Sequence, residues 1–272
     1  MLDVAAYLAR IQYSGPTEPT AATLRDLHRA HMLAVPFENL DIHLGRRIVC
    51  QEEGFLAKVI FEHRGGFCYE LNGAFAALLR ELGFRVTLLS ARVSRPDGSE
   101  GLDLAHLCLR VDILNPPESP IAGTEAWLAD VGFGDSFLEP LLMRPNLEQP
   151  QFGHVYRLVE RSLLSASGAT GETVLDMQVR TDGAWKRQYS FSPEPRQLGD
   201  FAGMCHYQQT SPDSHFTRQR ICSLARLAGR ITLSDLKLIE TGEGYREERD
   251  LSGDAEWSAI LRERFGIVLP GV

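Results

Sequence analysis

Cys68 is the residue whose surroundings best suit covalent chemistry. It follows Gly65 and Gly66 and precedes residues 69–82, where apolar side chains recur with helical spacing. This order predicts a tight turn that places the cysteine at the amino end of a helix. There the helix dipole and unpaired backbone N–H groups favour a thiolate and can bind an oxyanion. A small buried thiol with no chemical role is the alternative interpretation.

A cysteine nucleophile also needs a base to hold its proton and a third group that orients the base. In residues 105–113 every odd position is apolar, which predicts a strand with His106 on the opposite, polar face beside Cys108 and Arg110. This phase makes His106 the preferred base, although a histidine on a polar face is often simply solvated. The other histidines stay open as candidates: His28, His31, His43, His63, His154, His206 and His215.

Asp130 is the candidate for the orienting group because it interrupts an apolar strand predicted over residues 127–133. A carboxylate in such surroundings is costly unless it is paired, and an imidazole N–H is a suitable partner. The alternative is an aspartate that caps the glycine-rich loop at residues 132–134. Taken together, Cys68, His106 and Asp130 predict acyl transfer through a cysteine.

The composition limits the classes of function. A formal net charge of -8 and a pI near 5.5 argue against nucleic acid or an anionic membrane as the main partner. The sequence has no apolar run long enough to span a bilayer, and its first residues predict a helix, not a signal peptide. Five cysteines without a CxxC pair indicate a reducing cytoplasm and no structural metal site. The oligomeric state is not determined by these features.

The periodicity of apolar residues changes twice along the chain and predicts an α+β fold. Residues 1–85 read as a helical bundle that carries the cysteine, residues 86–193 as an antiparallel barrel that carries His106 and Asp130, and residues 194–272 as a smaller mixed segment. The predicted helices cover residues 1–11, 23–33, 52–62, 69–82 and 255–265. The predicted strands cover residues 84–93, 104–113, 127–133, 156–160, 174–179, 184–190 and, with a turn, 231–240.

Four segments resemble the motifs of arylamine N-acetyltransferases, in the order of that family. Residues 64–72 (RGGFCYELN) are similar to the family's RGGxCxExN motif, and residues 36–40 (PFENL) to its PFEN segment. Residues 130–134 (DVGFG) and 211–216 (SPDSHF) resemble its DVGFG and SPxSxF stretches. The resemblance implies three domains, namely a helical bundle, a β-barrel and an α/β lid.

The same resemblance implies a papain-like triad of Cys68, His106 and Asp130. The enzyme would move an acetyl group from acetyl-CoA to an arylamine or arylhydrazine through an acetyl-cysteine thioester, in a ping-pong reaction without a metal. An amide synthase that uses the same triad on an aryl-amine polyketide is the alternative within the family. A papain-like hydrolase and a catalytically silent binding module are two further alternatives from outside it.

The resemblance also assigns the neighbourhood of the triad. Three aromatic residues, Phe37, Tyr69 and Phe133, match positions that line the family's amine pocket, and an ordinary core role is the alternative for them. The backbone at Gly132 and Gly134 would lie beside the pantetheine arm of CoA. Arg64 with Glu38 and Asn39 would form a structural charge network. The chain departs from the family at Ala105 and at residues 201–204, which leaves the contacts to CoA and the preferred acceptor undetermined.

Overall fold

A helical bundle forms the first part of the molecule, a computed structural model that describes residues 2–115, 123–164 and 170–269. Asp3 and Thr20 cap the first two helices through their side-chain oxygens. The helices are α1 (Val4–Arg10), α2 (Ala21–Ala34), α3 (Leu40–His43), α4 (Glu52–Leu56) and α5 (Cys68–Glu81), with a two-residue strand, β1 (Phe37–Glu38), before α3. The predicted helical bundle is therefore confirmed.

Two details of the bundle differ from the prediction. The single helix predicted over residues 52–62 is α4 followed by a π-helical segment, Ala57–Phe61. The predicted helix after the cysteine begins at Cys68 itself and is followed by Gly83 with a φ of 88°. Leu71, Phe75 and Leu78 of α5 are fully buried, so this helix forms the centre of the bundle.

An eight-stranded antiparallel sheet forms the second part. Its strands are β2 (Arg85–Val93), β3 (His106–Asn115), β4 (Gly123–Ala129), β5 (Leu141–Leu142), β6 (Gln149–Gln151), β7 (His154–Leu164), β8 (Thr170–Thr181) and β9 (Ala184–Arg196). Their order is β5-β4-β3-β2-β9-β8-β7-β6. Just after β5, Asn146 N donates to Leu158 O of β7 at 2.7 Å. This contact brings the two ends of the sheet together into a nearly closed barrel, as predicted.

Near its start, strand β3 is buried on both faces, which corrects the interpretation of the face that carries His106 as polar there. Leu107 and Leu109 pack into the core shared with the bundle, whereas Cys108 faces the barrel interior. His106 is only 2% exposed. The reason is that the bundle covers the outer face of this strand while the barrel closes over its inner face. A solvated His106 is thereby excluded.

The third part combines short helices with a five-stranded antiparallel sheet. A 3₁₀ turn (Leu198–Phe201) leads into α6 (Ala202–Thr210) and α7 (His215–Arg218), then β10 (Ile221–Arg226), β11 (Gly229–Ser234), β12 (Lys237–Gly242), β13 (Tyr245–Asp250) and α8 (Asp254–Phe265). The strand with a turn predicted over residues 231–240 is the β11–β12 hairpin. Strand β10 pairs with β1, so this sheet is joined to the bundle. None of the described helices is long and apolar enough to cross a bilayer.

Candidate active site

The turn before Cys68 is held in place by close packing of its backbone. A Cβ on Gly65 would come within 1.8 Å of the carbonyl oxygen of Pro36, so only glycine fits there. Glu70 accepts a hydrogen bond from the backbone N–H of Phe67 at 3.1 Å and secures the first turn of α5. Cys68 is thus the first residue of α5 and is 4% exposed. The predicted position of the thiol at a helix start is confirmed.

His106, at the start of β3, lies between Asp130 and Cys68. Its Nε2 is 2.7 Å from Asp130 Oδ2, which leaves Nδ1 for the neighbouring thiol of Cys68. Burial, the largest influence, lowers the pKa of His106, but the charge of Asp130 and the hydrogen bonds to Asp130 and Cys68 together raise it to about 10. His106 therefore carries a proton at neutral pH.

Asp130 is the first residue after β4, not a residue within a strand as predicted. Its Oδ1 accepts hydrogen bonds from Asn72 Nδ2 at 2.9 Å and from Gly132 N at 3.0 Å. Burial raises the pKa of Asp130, but the charge of His106 and these hydrogen bonds lower it below its ordinary value. The two interpretations of this residue are both correct, because one oxygen binds the imidazole and the other caps the glycine loop.

Asn72 is a site residue that sequence reasoning missed. Besides its bond to Asp130, it accepts a hydrogen bond from Val131 N at 2.9 Å and donates to Leu107 O at 2.7 Å. It lies four residues after Cys68 and therefore on the same face of α5. Residue 72 ends the motif that carries the family resemblance, and that spacing was the available signal.

His28 of α2 is a second residue that sequence reasoning did not select. Its Nδ1 is 2.8 Å from Leu138 O, and its Nε2 accepts the backbone N–H of Asp130 at 3.1 Å. Burial lowers the pKa of His28 to about 4, so the ring is neutral and Nδ1 donates to the carbonyl. The side chain of His28 therefore connects the helical bundle to both ends of the loop formed by residues 130–138.

A buried charge network supports the turn before Cys68, as predicted for Arg64 and Glu38. Arg64 Nη2 is 2.7 Å from Glu38 Oε1 and 3.0 Å from Asp41 Oδ1. Lys58 joins the network with Nζ 2.8 Å from both Asp41 Oδ2 and Glu70 Oε1. Burial raises the pKa of Glu70 to about 7. These partners all belong to the bundle, which indicates a structural role for the network.

Asn39 lies outside this charge network, which corrects the prediction for it. Its side-chain amide donates to the carbonyl oxygens of Phe216 and Gln219 at 3.0 and 2.8 Å. Its Oδ1 accepts the backbone N–H of Ile221 at 2.8 Å. Asn39 therefore fastens the third part of the chain to the bundle.

The three aromatic residues predicted to bind the amine differ in their placement. Phe133 is partly exposed, and its ring centroid is 5.3 Å from that of His106. Phe37 is 9% exposed and contacts the loop at Gly134, where a Cβ would lie 3.4 Å from its ring. Tyr69 is fully buried and donates its hydroxyl to Leu104 O at 2.8 Å. Of the three, Phe133 is therefore the one directly beside the triad.

Gly132 and Gly134 have packing roles in the loop after Asp130. A Cβ on Gly132 would lie 2.8 Å from Cys68 Cα and 2.7 Å from Asn72 Nδ2. Gly134 has a φ of 92°, a conformation that favours glycine. These glycines let the loop approach the start of α5 closely. Their predicted proximity to CoA stays a prediction.

A cavity of about 710 Å³ lies between the barrel and the β10–β11 and β12–β13 turns. Asp135, Ser136 and Leu138 of the loop after β4 line it together with Arg230, whose Nε is 3.2 Å from Asp135 Oδ1. The described residues around it do not include Cys68, His106 or Asp130. This volume lies within the usual range for small-molecule sites, but the cavity is not lined by the three residues predicted to carry the chemistry. Among the described residues, no group of three or more His, Cys, Asp or Glu is arranged to hold a metal ion.

Comparison with known proteins agrees with this geometry. An N-acetyltransferase family model matches residues 20–271. The chain is 31% identical to the arylamine N-acetyltransferase pineal gland isozyme NAT-10 of Gallus gallus, over 98% of this chain and 95% of that protein.

Two solved structures extend the likeness to the fold. The arylamine N-acetyltransferase of Nocardia farcinica is 34% identical with a TM-score of 0.86, covering 99% of this chain and 91% of that one. The enzyme of Mycobacterium marinum in complex with CoA is 32% identical with a TM-score of 0.84, covering 97% and 93%. The expected fold is confirmed, and the chain belongs to the arylamine N-acetyltransferase family.

Proposed function

We propose that this enzyme transfers an acetyl group from acetyl-CoA to the nitrogen of an arylamine or arylhydrazine through Cys68. The observation that carries the proposal is the arrangement around His106. One ring nitrogen is 2.7 Å from Asp130, and the thiol of Cys68 lies close enough to the ring to raise its pKa. A cysteine, a charged imidazole and a buried carboxylate in this order are the parts that activate a thiol for acyl transfer.

The first half-reaction forms a thioester on the enzyme. His106 in its imidazolium form stabilises the Cys68 thiolate, whose sulfur attacks the carbonyl carbon of acetyl-CoA. The oxyanion of the tetrahedral intermediate is stabilised by free backbone N–H groups at the start of α5. The bond from carbon to the CoA sulfur breaks, and the leaving thiolate takes the proton from His106.

The second half-reaction returns the enzyme to its starting state. The nitrogen of the amine attacks the acetyl-cysteine carbonyl, and neutral His106 accepts a proton from that nitrogen. The bond from carbon to Cys68 Sγ breaks, which regenerates the thiolate beside the imidazolium. Asp130 holds the ring orientation and stabilises its positive charge in both half-reactions. No metal takes part in these steps.

The surroundings of Cys68 determine which groups reach it. The sulfur of Cys68 lies 3.9 Å from the carbonyl oxygen of Ala105, and the partly exposed ring of Phe133 lies beside His106; Cys68 itself is largely covered. We place the ring of the acceptor against Phe133, with Phe37 behind it and Tyr69 as support from the core, because an aromatic wall suits an aryl ring. The backbone at Gly132 and Gly134 faces the acyl donor. CoA is the molecule bound by the Mycobacterium marinum relative.

The proposal also includes the domain boundaries and the cellular compartment. We assign residues 1–85 to the bundle domain, 86–193 to the barrel domain and 194–272 to the lid domain. Strand β9 continues three residues past the second of these boundaries. The five cysteines are free thiols, which agrees with a reducing cytoplasm.

Mass spectrometry of the acetyl-enzyme tests this function. Incubation with acetyl-CoA alone is expected to add one acetyl group, located on the tryptic peptide 65–80, which contains Cys68 and no other cysteine. Adding an arylamine should then remove that group and yield the N-acetylated amine. The matched control is Cys68→Ser, which should keep the fold and lose the adduct and the turnover. Labelling by acyl-carrier thioesters but not by acetyl-CoA would instead support the amide synthase.

A further inference from the structure

Two cysteines outside the proposed mechanism lie against each other. Cys50 lies in the segment between α3 and α4, and Cys205 lies on α6 in the third part of the chain. Cys205 belongs to the main hydrophobic core, and Cys50 packs against that core. Cys50 is half-buried, whereas Cys205 is 1% exposed. The pair therefore has one sulfur near solvent and one inside the protein.

Backbone and side-chain contacts fix the two segments relative to each other. Cys50 Sγ donates to Leu198 O at 3.4 Å, and Cys205 Sγ lies 4.0 Å from Ile48 O. Gln209 Oε1 accepts the N–H of Ile48 at 2.7 Å, and its Nε2 donates to Ile48 O at 3.0 Å and to Cys205 Sγ at 3.3 Å. Each sulfur thus faces the segment of the other cysteine, and Gln209 holds the two segments together.

The two thiols have unequal acidity. The hydrogen bond from Cys205 lowers the pKa of Cys50, and the same contact raises the pKa of Cys205. An accessible cysteine with a lowered pKa next to a second thiol is the usual arrangement of a peroxide-reactive cysteine and its resolving partner.

We propose that Cys50 and Cys205 form an oxidation site at which a hydroperoxide produces a disulfide. The Cys50 thiolate attacks the peroxide oxygen, the O–O bond breaks, and the alcohol or water leaves with Cys50 as a sulfenic acid. Cys205 sulfur then attacks the Cys50 sulfur, and the hydroxyl group departs with the proton of Cys205 as water. The peroxide is reduced by two electrons and the two thiols are oxidised. A thiol reductant reverses the reaction. This site does not depend on acetyl transfer.

Peptide mapping of the full chain after treatment with hydrogen peroxide tests the site directly. Each of the five cysteines falls in its own tryptic peptide, with Cys50 in residues 48–58 and Cys205 in residues 197–218. After free thiols are blocked, we expect these two peptides to be joined with the loss of two hydrogen atoms, and to separate on reduction. Recovery of both as separate blocked peptides, at a peroxide concentration that oxidises peptide 65–80, would overturn the proposal.

Single variants test the order of the two steps. With dimedone present, Cys205→Ser should accumulate a labelled sulfenic acid on Cys50, whereas Cys50→Ser should leave Cys205 unlabelled. The reverse pattern contradicts the assigned roles. Cys222→Ala removes another buried thiol and should leave the cross-link unchanged, and Cys68→Ser removes the competing nucleophile and should do the same. Circular dichroism of each variant separates a lost site from a lost fold.

Discussion

Asp130 is contacted by one histidine from the bundle and another from the barrel, and the pKa values of these two histidines are shifted in opposite directions. His28 comes from α2 and His106 from β3, and both rings are buried. His28 contacts only backbone groups, the N–H of Asp130 and the carbonyl of Leu138. His106 contacts the carboxylate itself.

The difference shows that the partner, not the burial, decides the charge of a histidine here. Burial dominates at His28 and lowers its pKa to about 4. At His106 the charge and hydrogen bonds of Asp130 and Cys68 outweigh burial, and the pKa rises to about 10. The bundle side therefore supplies a neutral support, and the barrel side supplies the charged ring that the proposed chemistry needs.

Asp130→Asn should have the largest effect, because it removes the carboxylate that distinguishes the two sides. Burial would then dominate at His106 as well, so its pKa should fall and the thiolate would lose its charged partner. We expect acetyl transfer to drop by about 10³- to 10⁴-fold, measured as kcat/KM for acetyl-CoA. Iodoacetamide labelling of Cys68 at neutral pH should slow in parallel. A variant that keeps most of its turnover would show that another carboxylate orients His106.

Arg64→Met tests a buried charge on the bundle side that does not contact Asp130. Removing Arg64 breaks its buried ion pairs with Glu38 and Asp41 and leaves Lys58 beside both carboxylates. Breaking a buried ion pair typically costs about 3–5 kcal/mol of folding free energy. The measurement is urea unfolding monitored by circular dichroism.

The matched control for Arg64 is Arg46→Met. Arg46 reaches the same Asp41 carboxylate at 3.9 Å but is 43% exposed, so its loss should cost at most about 1 kcal/mol. Equal destabilisation by both substitutions would contradict a role for burial in the network.

His28→Phe should have a smaller effect on the rate. The ring can still stack on Phe137, whose centroid is 5.6 Å away, but the N–H of Asp130 and the carbonyl of Leu138 lose their partner. A lost buried hydrogen bond costs about 1–3 kcal/mol, and a displaced Asp130 should lower kcat roughly ten-fold. A retained KM for acetyl-CoA would indicate a positioning role.

Two further variants test that role of His28. His28→Gln restores an acceptor for Asp130 N–H and should recover part of the rate. His31→Leu alters a buried histidine one turn away whose ring nitrogens have no hydrogen-bond partner among the described residues, and it should leave kcat unchanged. A loss of rate in His31→Leu equal to that in His28→Phe would indicate general disruption of α2.

Taken per pH unit, the smallest expected effect is the pH dependence of stability, which has opposite signs for His106 and His28. The raised pKa of His106 contributes stability that is complete below pH 6.5 and lost as the pH rises through about 10. The lowered pKa of His28 contributes stability present above pH 6.5 and lost as the pH falls through about 4. Each group changes the unfolding free energy by up to about 1.4 kcal/mol per pH unit in its own range.

Unfolding curves at pH 5, 7 and 9 separate the two contributions. In Asp130→Asn, the free energy of unfolding should fall less between pH 7 and pH 9 than in the wild type. In His28→Phe, it should fall less between pH 7 and pH 5. Identical pH profiles for the wild type and both variants would mean that neither histidine changes its pKa on folding.

Much of the fold was predictable from the sequence, and so was the grouping of Cys68, His106 and Asp130 that the structure shows. Helical spacing after Cys68, two-residue alternation around His106 and a lone carboxylate after an apolar strand are local patterns, and local patterns report on secondary structure and burial. Four motifs in family order then indicated one fold for the whole chain. The charge pair of Arg64 and Glu38 was likewise correctly expected.

Other features depended on how the parts pack. The face of β3 that carries His106 looked polar because Arg110 and Asp112 share its phase, yet the barrel buries the end where His106 lies. His28 is 102 residues from Asp130, and Asn39 is 182 residues from Ile221, so no local pattern reveals these bonds. The same is true of the contact between Cys50 and Cys205.

The sequence by itself determined which residues have reactive side chains and roughly which segments are helices or strands, because these depend on side-chain chemistry and on neighbours close in the chain. Only the tertiary structure decided the protonation of the two histidines. A pKa depends on desolvation and on charges a few ångströms away, and the bundle and the barrel supply both only after they have packed against each other.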